Sequence, residues 1–163
     1  MSEVNRGSHP LVRSDERGPE ETFSHPFNPN SLIRGVSLSQ AAGLERIGVH
    51  FIRVAPGRES LVYHAHHGEE EFIYILSGRG VADIDGQEYE VGAGDFMGFP
   101  APSVGHHLRN PYDEELVYLV GGERKLVEIS DFPRQGKRMI RSGLRVSIHP
   151  LAGAEAFGPY PKL

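Results

Sequence analysis

From Gly48 onward, the chain alternates short segments rich in β-branched and aromatic residues with Gly, Pro or Asp. Segments of this kind, bounded by turn-forming residues, are typical of β-strands. The predicted strands are residues 48–55, 60–66, 71–77, 80–84, 87–91, 96–99, 106–110 and 116–120, and residues 125–129 are a candidate ninth strand. Between two of them lies Asp85-Gly86, a pair that supplies the positive φ angles of a two-residue type I′ hairpin turn. Eight strands of similar length predict an all-β sandwich or barrel.

The segments on either side of this region lack the pattern. Residues 1–30 are polar and contain four prolines, which predicts an extended arm or a disordered tail. Residues 32–44 hold enough apolar positions for a short helical turn or an irregular entry, but not for a long helix. Residues 131–163 are rich in Pro and Gly, and we predict that they are irregular.

Composition and charge exclude several classes of function for this chain. The chain has 163 residues, which favours one domain, and no cysteine, which excludes disulfides and thiolate zinc sites. A formal net charge of −5 argues against nucleic-acid binding, and the apolar run Phe72 to Leu76, which no other apolar run exceeds, is far below the roughly 20 residues of a membrane-spanning helix. Residues 1–17 lack the apolar core of a secretory signal. We therefore expect a cytoplasmic protein whose partner is a small molecule, not a nucleic acid or a membrane.

Histidines are concentrated in two windows of the predicted strand region. Of nine histidines, three lie at 64, 66 and 67 and two at 106 and 107. Because alternate side chains of a strand share a face, His64 and His66 project the same way, about 7 Å apart. Glu71 begins the next strand on the same face as apolar residues, where a carboxylate is costly unless a cation binds it.

The two windows resemble the two conserved motifs of the cupin superfamily. The first motif is matched by Gly57, by His64-Ala-His66, by Glu71 after four residues and by Gly78 after six more. The second motif is matched by Gly94, by Pro100 after five residues, and by His106 with Asn110 after a further three. The chain departs from the family pattern by one extra residue between Gly57 and His64, by one between Pro100 and His106, and by Pro102 at the usual Gly position.

The resemblance implies an all-β double-stranded β-helix, the jelly-roll cupin barrel, with irregular N- and C-terminal arms. We expect an N-terminal arm at residues 1–47, the barrel at 48–130, and a C-terminal extension at 131–163 that packs on the barrel or on a dimer partner. Inside the barrel, the resemblance implies that His64, His66, Glu71 and His106 bind one divalent transition metal.

Several features of this site stay open at this point. Nitrogen and oxygen ligands without sulfur suit Zn, Mn, Fe or Ni, and also Co or Cu. His107 is an alternative to His106, and Glu70 is an alternative to Glu71. A metal-free barrel with hydrogen-bonded histidines is a further alternative to the metal site.

The cupin resemblance implies a metal-dependent enzyme that acts on a small oxygen-rich substrate. Two chemistries known among cupins fit this description, a sugar-phosphate isomerase and a dioxygenase. The alternatives are a noncatalytic module that binds a sugar or small metabolite, and a structural dimer with a vestigial site. Because a jelly roll leaves strand edges that the N-terminal arm of a neighbouring subunit can cover, we predict a homodimer.

One further group of charges bears on the substrate. Residues 134–145 form a basic run, with Arg134, Lys137, Arg138, Arg141 and Arg145 and no acidic residue between Pro133 and Arg145. Such a run is usually a solvated face, and the alternative is that it attracts the phosphate or carboxylate of a ligand.

Overall fold

The computed structural model describes residues 9–155 and residue 158. Its thirteen strands, in chain order, are β1 (Glu21–Phe23), β2 (Ile33–Ser37), β3 (Ile47–Val54), β4 (Ala65–His66), β5 (Glu71–Ser77), β6 (Arg79–Ile84), β7 (Gln87–Gly92), β8 (Phe96–Phe99), β9 (His106–Arg109), β10 (Leu116–Glu123), β11 (Val127–Phe132), β12 (Lys137–Ser142) and β13 (Arg145–Pro150). Within the part of the chain that the structure describes, helical structure is limited to α1 (Leu38–Ala41) and a 3₁₀ turn at Pro133–Gln135. Among the described residues no helix is long and apolar enough to cross a membrane.

The strands form three antiparallel sheets. The largest has the order β1-β2-β3-β10-β5-β8, the second β13-β12-β11-β4, and the third β7-β6-β9. Buried side chains of the first sheet pack against those of the third, and β7 lies close to β5. The core formed in this way consists of Ile52, Val54, Ile73, Ile75, Ala82, Val91, Met97, Phe99, Leu108, Leu116 and Tyr118. The predicted all-β jelly-roll barrel is confirmed.

Alternation along single strands explains why the core lies between the sheets. In β5, Ile73 and Ile75 are buried, whereas Tyr74 and Leu76 on the other face are exposed. The β6–β7 turn at Asp85-Gly86 has φ angles of 52° and 78°, which confirms the predicted hairpin. Six of the eight predicted strands correspond closely to observed ones, and β10 continues to Glu123 rather than ending at residue 120.

The prediction of a strand over residues 60–66 was wrong for most of its length, because only Ala65–His66 is a strand. This segment runs beside β9 but makes only scattered backbone bonds with it, such as the pair between His64 and His106. The backbone N–H of Leu108 donates to the Ser60 hydroxyl at 3.2 Å. The Ser60 hydroxyl therefore accepts a hydrogen bond that a regular β-ladder would direct to a backbone carbonyl.

The prediction of irregular structure beyond residue 131 was also wrong. The β12–β13 hairpin extends the β11 sheet, and it turns at Gly143 with a φ angle of 58°. Apolar periodicity missed it because β12 has no regular alternation, with Met139 and Ile140 adjacent in the chain, and because β13 is exposed along its whole length. The hairpin is instead stabilised by backbone ladders and by ion pairs such as Arg138–Asp131.

The N-terminal arm is more regular than its sequence suggests. Within its described part, β1 pairs with β2, and β2 pairs with β3 of the same chain. The expected helical turn within residues 32–44 is present as α1, where the Ser37 hydroxyl accepts the Gln40 N–H at the N-cap. Residues 1–8 and the end of the predicted irregular extension, 156, 157 and 159–163, lie outside the described residues. The division at residues 47 and 130 stays a prediction.

Candidate metal centre

Three histidines and one glutamate meet at the inner face of the barrel. His64 and His66 come from the segment that ends in β4, Glu71 from the start of β5, and His106 from the start of β9. One side-chain ligand atom from each of the four lies within 4.8 Å of the other three. The cross-strand backbone bonds between His64 and His106 bring the two histidine windows together.

The outer nitrogen of each imidazole is held by an oxygen. His64 Nδ1 lies 2.7 Å from the Val62 carbonyl, and His106 Nδ1 lies 3.1 Å from the Val104 carbonyl. Because a carbonyl oxygen cannot donate, the Nδ1 of both rings carries the proton. In the neutral ring, Nε2 then offers a lone pair.

His66 is oriented in the same way by a buried carboxylate. Its Nδ1 lies 3.3 Å from Glu128 Oε1 and 3.4 Å from the Ser130 hydroxyl. The Glu128 side chain is only 2% exposed, and it also accepts the backbone N–H groups of His67 and Gly68. This carboxylate fixes the tautomer and the ring plane of His66.

The inward-facing atoms of the cluster have the character of a cation site. Glu71 Oε1 lies 3.0 Å from His106 Nε2, and Glu71 Oε2 lies 3.5 Å from His66 Nε2. His66 Nε2 is buried and has no hydrogen-bond partner among the described residues. Three imidazole lone pairs and a carboxylate repel one another unless a cation lies among them. A divalent metal satisfies all four atoms together, whereas one proton satisfies a single pair, so the donor set fits a metal.

Burial and mutual contact shift the titration of these groups. Burial, with the neighbouring His106, lowers the pKa of His64 to about 3, which keeps this imidazole neutral. Burial alone would raise the pKa of Glu71, but the contacts with His106 and His66 lower it well below its usual range. Burial likewise would lower the pKa of His66, and the Glu71 carboxylate outweighs this and raises it. At neutral pH the site therefore holds an ionised carboxylate among imidazoles.

A cavity of about 330 Å³ opens from the cluster. His64, Glu71 and His106 lie in its wall, and most of the rest is apolar, including Ile52, Ile73, Leu108 and Val120. Further polar residues also line it, namely His50, Ser60, His107, Tyr118, Glu123 and Arg124. Burial lowers the pKa of His50, with Arg124 contributing, and burial raises the pKa of Tyr118. The volume suits a small ligand.

The structure places the alternatives to two cluster residues elsewhere. His107 follows His106 on the opposite face of β9, and its Nε2 lies 3.5 Å from Glu59. Glu70 is exposed, and the cluster contains Glu71 instead. His67 is also exposed, 2.8 Å from Asp131.

The basic run lies on β12, on β13 and in the turn before β12, and most of its cations already have partners. Arg134 pairs with Asp83, Arg138 with Asp131, and Arg141 with Glu69, while Lys137 lies 4.3 Å from the ring centre of Phe27. None of the five basic residues lines the cavity described above. Local sequence did not single out Glu128 or Arg124. The signal for Glu128 is one acidic residue between Val127 and Ile129 in an otherwise apolar stretch, whereas nothing in the sequence around Arg124 marks it.

Comparison with known proteins adds an independent result. The family model for the cupin domain matches residues 50–122, which include all four cluster residues. The crystal structure of a candidate sugar phosphate isomerase from Acidithiobacillus ferrooxidans is 36% identical, covers 91% of this chain and 97% of its own, and has a TM-score of 0.88.

Two curated relatives are also similar. The oxalate-binding protein of Thermotoga maritima is 28% identical over 116 residues, 71% of this chain and 95% of the relative. An uncharacterized protein of Methanocaldococcus jannaschii is 35% identical over 84 residues, 52% of this chain, and the chain spans only 58% of its length. Because similarity to the Acidithiobacillus protein extends along nearly the whole of both chains and the family model spans the barrel strands that carry the cluster, the chain belongs to the cupin superfamily.

Proposed function

We propose that His64, His66, Glu71 and His106 hold one divalent transition metal, with Zn, Mn, Fe and Ni as the candidates. The observation that supports this most strongly is the convergence of three Nε2 lone pairs and a carboxylate. Each outer nitrogen is already held by a carbonyl or a carboxylate, as is usual for metal-ligating histidines. The expected metal content is one ion per chain.

The protein is then a metal-dependent enzyme that acts on a small oxygen-rich substrate in the cavity, by aldose–ketose isomerisation of a sugar phosphate. A bound metal would supply a Lewis acid that polarises a carbonyl oxygen and acidifies the adjacent C–H. The apolar wall of Ile52, Ile73 and Leu108 would limit the access of water. His50, kept neutral by burial and by Arg124, lines the same cavity and is our candidate to take the proton from one carbon and return it to its neighbour.

Support for this reaction comes from both the cavity and the comparisons. The cluster forms part of the cavity wall, so a ligand there can reach the metal. The Acidithiobacillus protein, which is 36% identical over almost the whole chain, is a candidate sugar phosphate isomerase. A dioxygenase uses a similar ligand set and is therefore one outcome of the test.

The test is to strip the protein of metal, reload it separately with Mn, Fe, Co, Ni and Zn, and measure metal content, aldose–ketose exchange and oxygen uptake. We expect exchange activity with at least one metal and no oxygen uptake. His66→Ala should lose most of the bound metal and the activity, whereas His67→Ala, its exposed neighbour, should keep both. Full metal occupancy in His66→Ala would refute the metal site, and oxygen uptake would assign the dioxygenase.

A noncatalytic binding module is the second candidate, favoured by the identity to the oxalate-binding protein over 95% of that chain. A thermal shift with oxalate or a sugar, together with no turnover under any metal, would assign this function instead. A homodimer and a cytoplasmic location complete the proposal. The homodimer is supported by the open edge of β8, where Phe96 is 65% exposed.

A further inference from the structure

Arg124 follows the last residue of β10 and lies at the cavity that contains the metal cluster. It is the only Arg or Lys among the described residues that line this cavity. A Cβ added at Gly48, on the facing strand β3, would lie 2.9 Å from Arg124 Nε and 3.5 Å from its Cζ. The absent side chain of Gly48 therefore lets the guanidinium lie against the β3 backbone.

Arg124 differs from most arginines of the basic run in having no carboxylate partner among the described residues. Its side-chain hydrogen bond within the described residues goes to the Ser39 hydroxyl at 3.4 Å, and none of the ion pairs there includes it. Arg134, Arg138 and Arg141, by contrast, each pair with an Asp or a Glu. The guanidinium thus keeps most of its donors available to a ligand.

The acidic groups near Arg124 do not neutralise it. Glu123 lines the same cavity, and its carboxylate lies 3.1 Å from both the Lys125 ammonium and the Glu70 backbone N–H. Glu71 belongs to the metal cluster. An anionic ligand would therefore meet one uncompensated cation on the cavity wall, apart from the metal itself.

Resting on the proposed function, we infer that Arg124 is the anion-binding residue of the cavity and holds the phosphate or carboxylate group of a substrate whose hydroxyl and carbonyl oxygens reach the metal cluster. A guanidinium is suited to this because its planar donors bind phosphate or carboxylate oxygens in pairs. His50 lines the same cavity and interacts electrostatically with both Arg124 and Glu71, and its neutral ring can donate one further hydrogen bond. The substrate class is a small sugar or hydroxy acid with one terminal anionic group.

The experiment compares Arg124→Gln, Arg124→Lys and the control Arg46→Gln in the metal-loaded protein. The Arg46 backbone carbonyl accepts the Arg124 N–H, and Arg46 does not line this cavity. The ligands are inorganic phosphate, oxalate, and a sugar paired with its own phosphate ester, and binding is measured by calorimetry. Loss of a charged hydrogen bond corresponds to about a tenfold to hundredfold weaker affinity.

For Arg124→Gln we expect this loss for inorganic phosphate and for the phosphate ester, and none for the neutral sugar. Arg124→Lys should retain part of the affinity, and Arg46→Gln all of it. Gly48→Ala should also weaken the binding of inorganic phosphate, because the added methyl group displaces the Arg124 guanidinium without removing its charge. If the binding of oxalate depends on Arg124 and the binding of phosphate does not, the substrate is a hydroxy acid. Equal phosphate affinity in Arg124→Gln and the wild type overturns the assignment.

This readout separates the inference from the proposed reaction. Binding that depends on Arg124 without turnover under any metal would refute the isomerase and retain the anion site. Turnover with a KM unchanged in Arg124→Gln would retain the enzyme and refute the anion site. Where turnover occurs, the expected change is a higher KM for the phosphate ester.

Discussion

The His66 imidazole is oriented by the carboxylate of Glu128, which is almost completely buried. Glu128 accepts two backbone N–H groups, which offset its burial, and its Oε1 faces His66 Nδ1. The close approach also depends on Gly68, where a Cβ would lie 2.8 Å from Glu128 Oε2. At the scale of single residues, the site therefore depends on a side chain that touches neither the cavity nor the other cluster residues.

We predict that Glu128→Gln weakens metal binding about tenfold or more, since the amide is a poorer acceptor for the His66 proton. Chelator competition on the folded protein measures this directly, and the spectrum of a bound Co²⁺ should change with the ring orientation. Glu70→Gln is the matched control, because that carboxylate is exposed and outside the cluster. Equal affinity in wild type and Glu128→Gln would show that Ser130 and the backbone alone orient the ring.

Pairing between strands creates interactions at the element scale that no single strand contains. Asp131 on β11 is the register partner of Arg138 on β12, and two hydrogen bonds of 2.7 and 2.8 Å join their side chains. His67, just after β4, lies with its Nε2 2.8 Å from Oδ2 of the same carboxylate. One ion-paired carboxylate thus connects three neighbouring segments of the second sheet.

This pair predicts how stability changes with pH. The Arg138 guanidinium lowers the pKa of Asp131 to about 2, from an unfolded value near 3.8. Because the folded pKa is depressed, the stabilisation is complete above about pH 5 and is lost as pH falls from about 4 to 2. For a partly exposed pair we expect on the order of 1 kcal/mol.

The measurement is urea unfolding of wild type and Asp131→Asn from pH 7 to pH 2. The difference in unfolding free energy should be constant near neutral pH and should disappear in the acid range. Arg138→Gln should give the same loss, and the double variant no further loss. A difference that persists undiminished at pH 2 would contradict the assignment of this pair.

At the scale of the whole molecule, the described part of the N-terminal arm covers the edge of β3 in its own chain. The arm therefore does not need to come from a neighbour, as the sequence suggested. The edge strands of the largest sheet are β1 and β8, and at the β8 edge the apolar side chains of Phe96 and Tyr74 are exposed. An exposed edge of this kind favours association with a second copy.

We predict that the protein sediments as a homodimer at micromolar concentration. Phe96→Glu should shift it to a monomer, because it places a charge beside the β8 edge. Tyr89→Glu is the control, since Tyr89 is 48% exposed on β7 in another sheet. A wild-type monomer at this concentration would refute the dimer, and a dimer unaffected by Phe96→Glu would place the interface elsewhere.

The sequence by itself determined the all-β fold, the Asp85-Gly86 hairpin and the two histidine windows that supply the cluster, and it left His106 or His107 and Glu70 or Glu71 open. These features depend on local properties, namely alternation with a period of two, positive φ at a turn, and the spacing of histidines within a strand. Where strong apolar alternation was absent, as in β12 and β13, local pattern was insufficient because ladders and ion pairs with other strands stabilise these elements.

Only the tertiary structure decided between His106 and His107 and between Glu71 and Glu70. His106 and Glu71 belong to the cluster, and His107 and Glu70 do not. It also brought Glu128 behind His66 and Arg124 over Gly48, across separations of 62 and 76 residues along the chain. Contacts of this kind are set by strand register between distant segments, and a shift of one residue would turn each side chain to the opposite face.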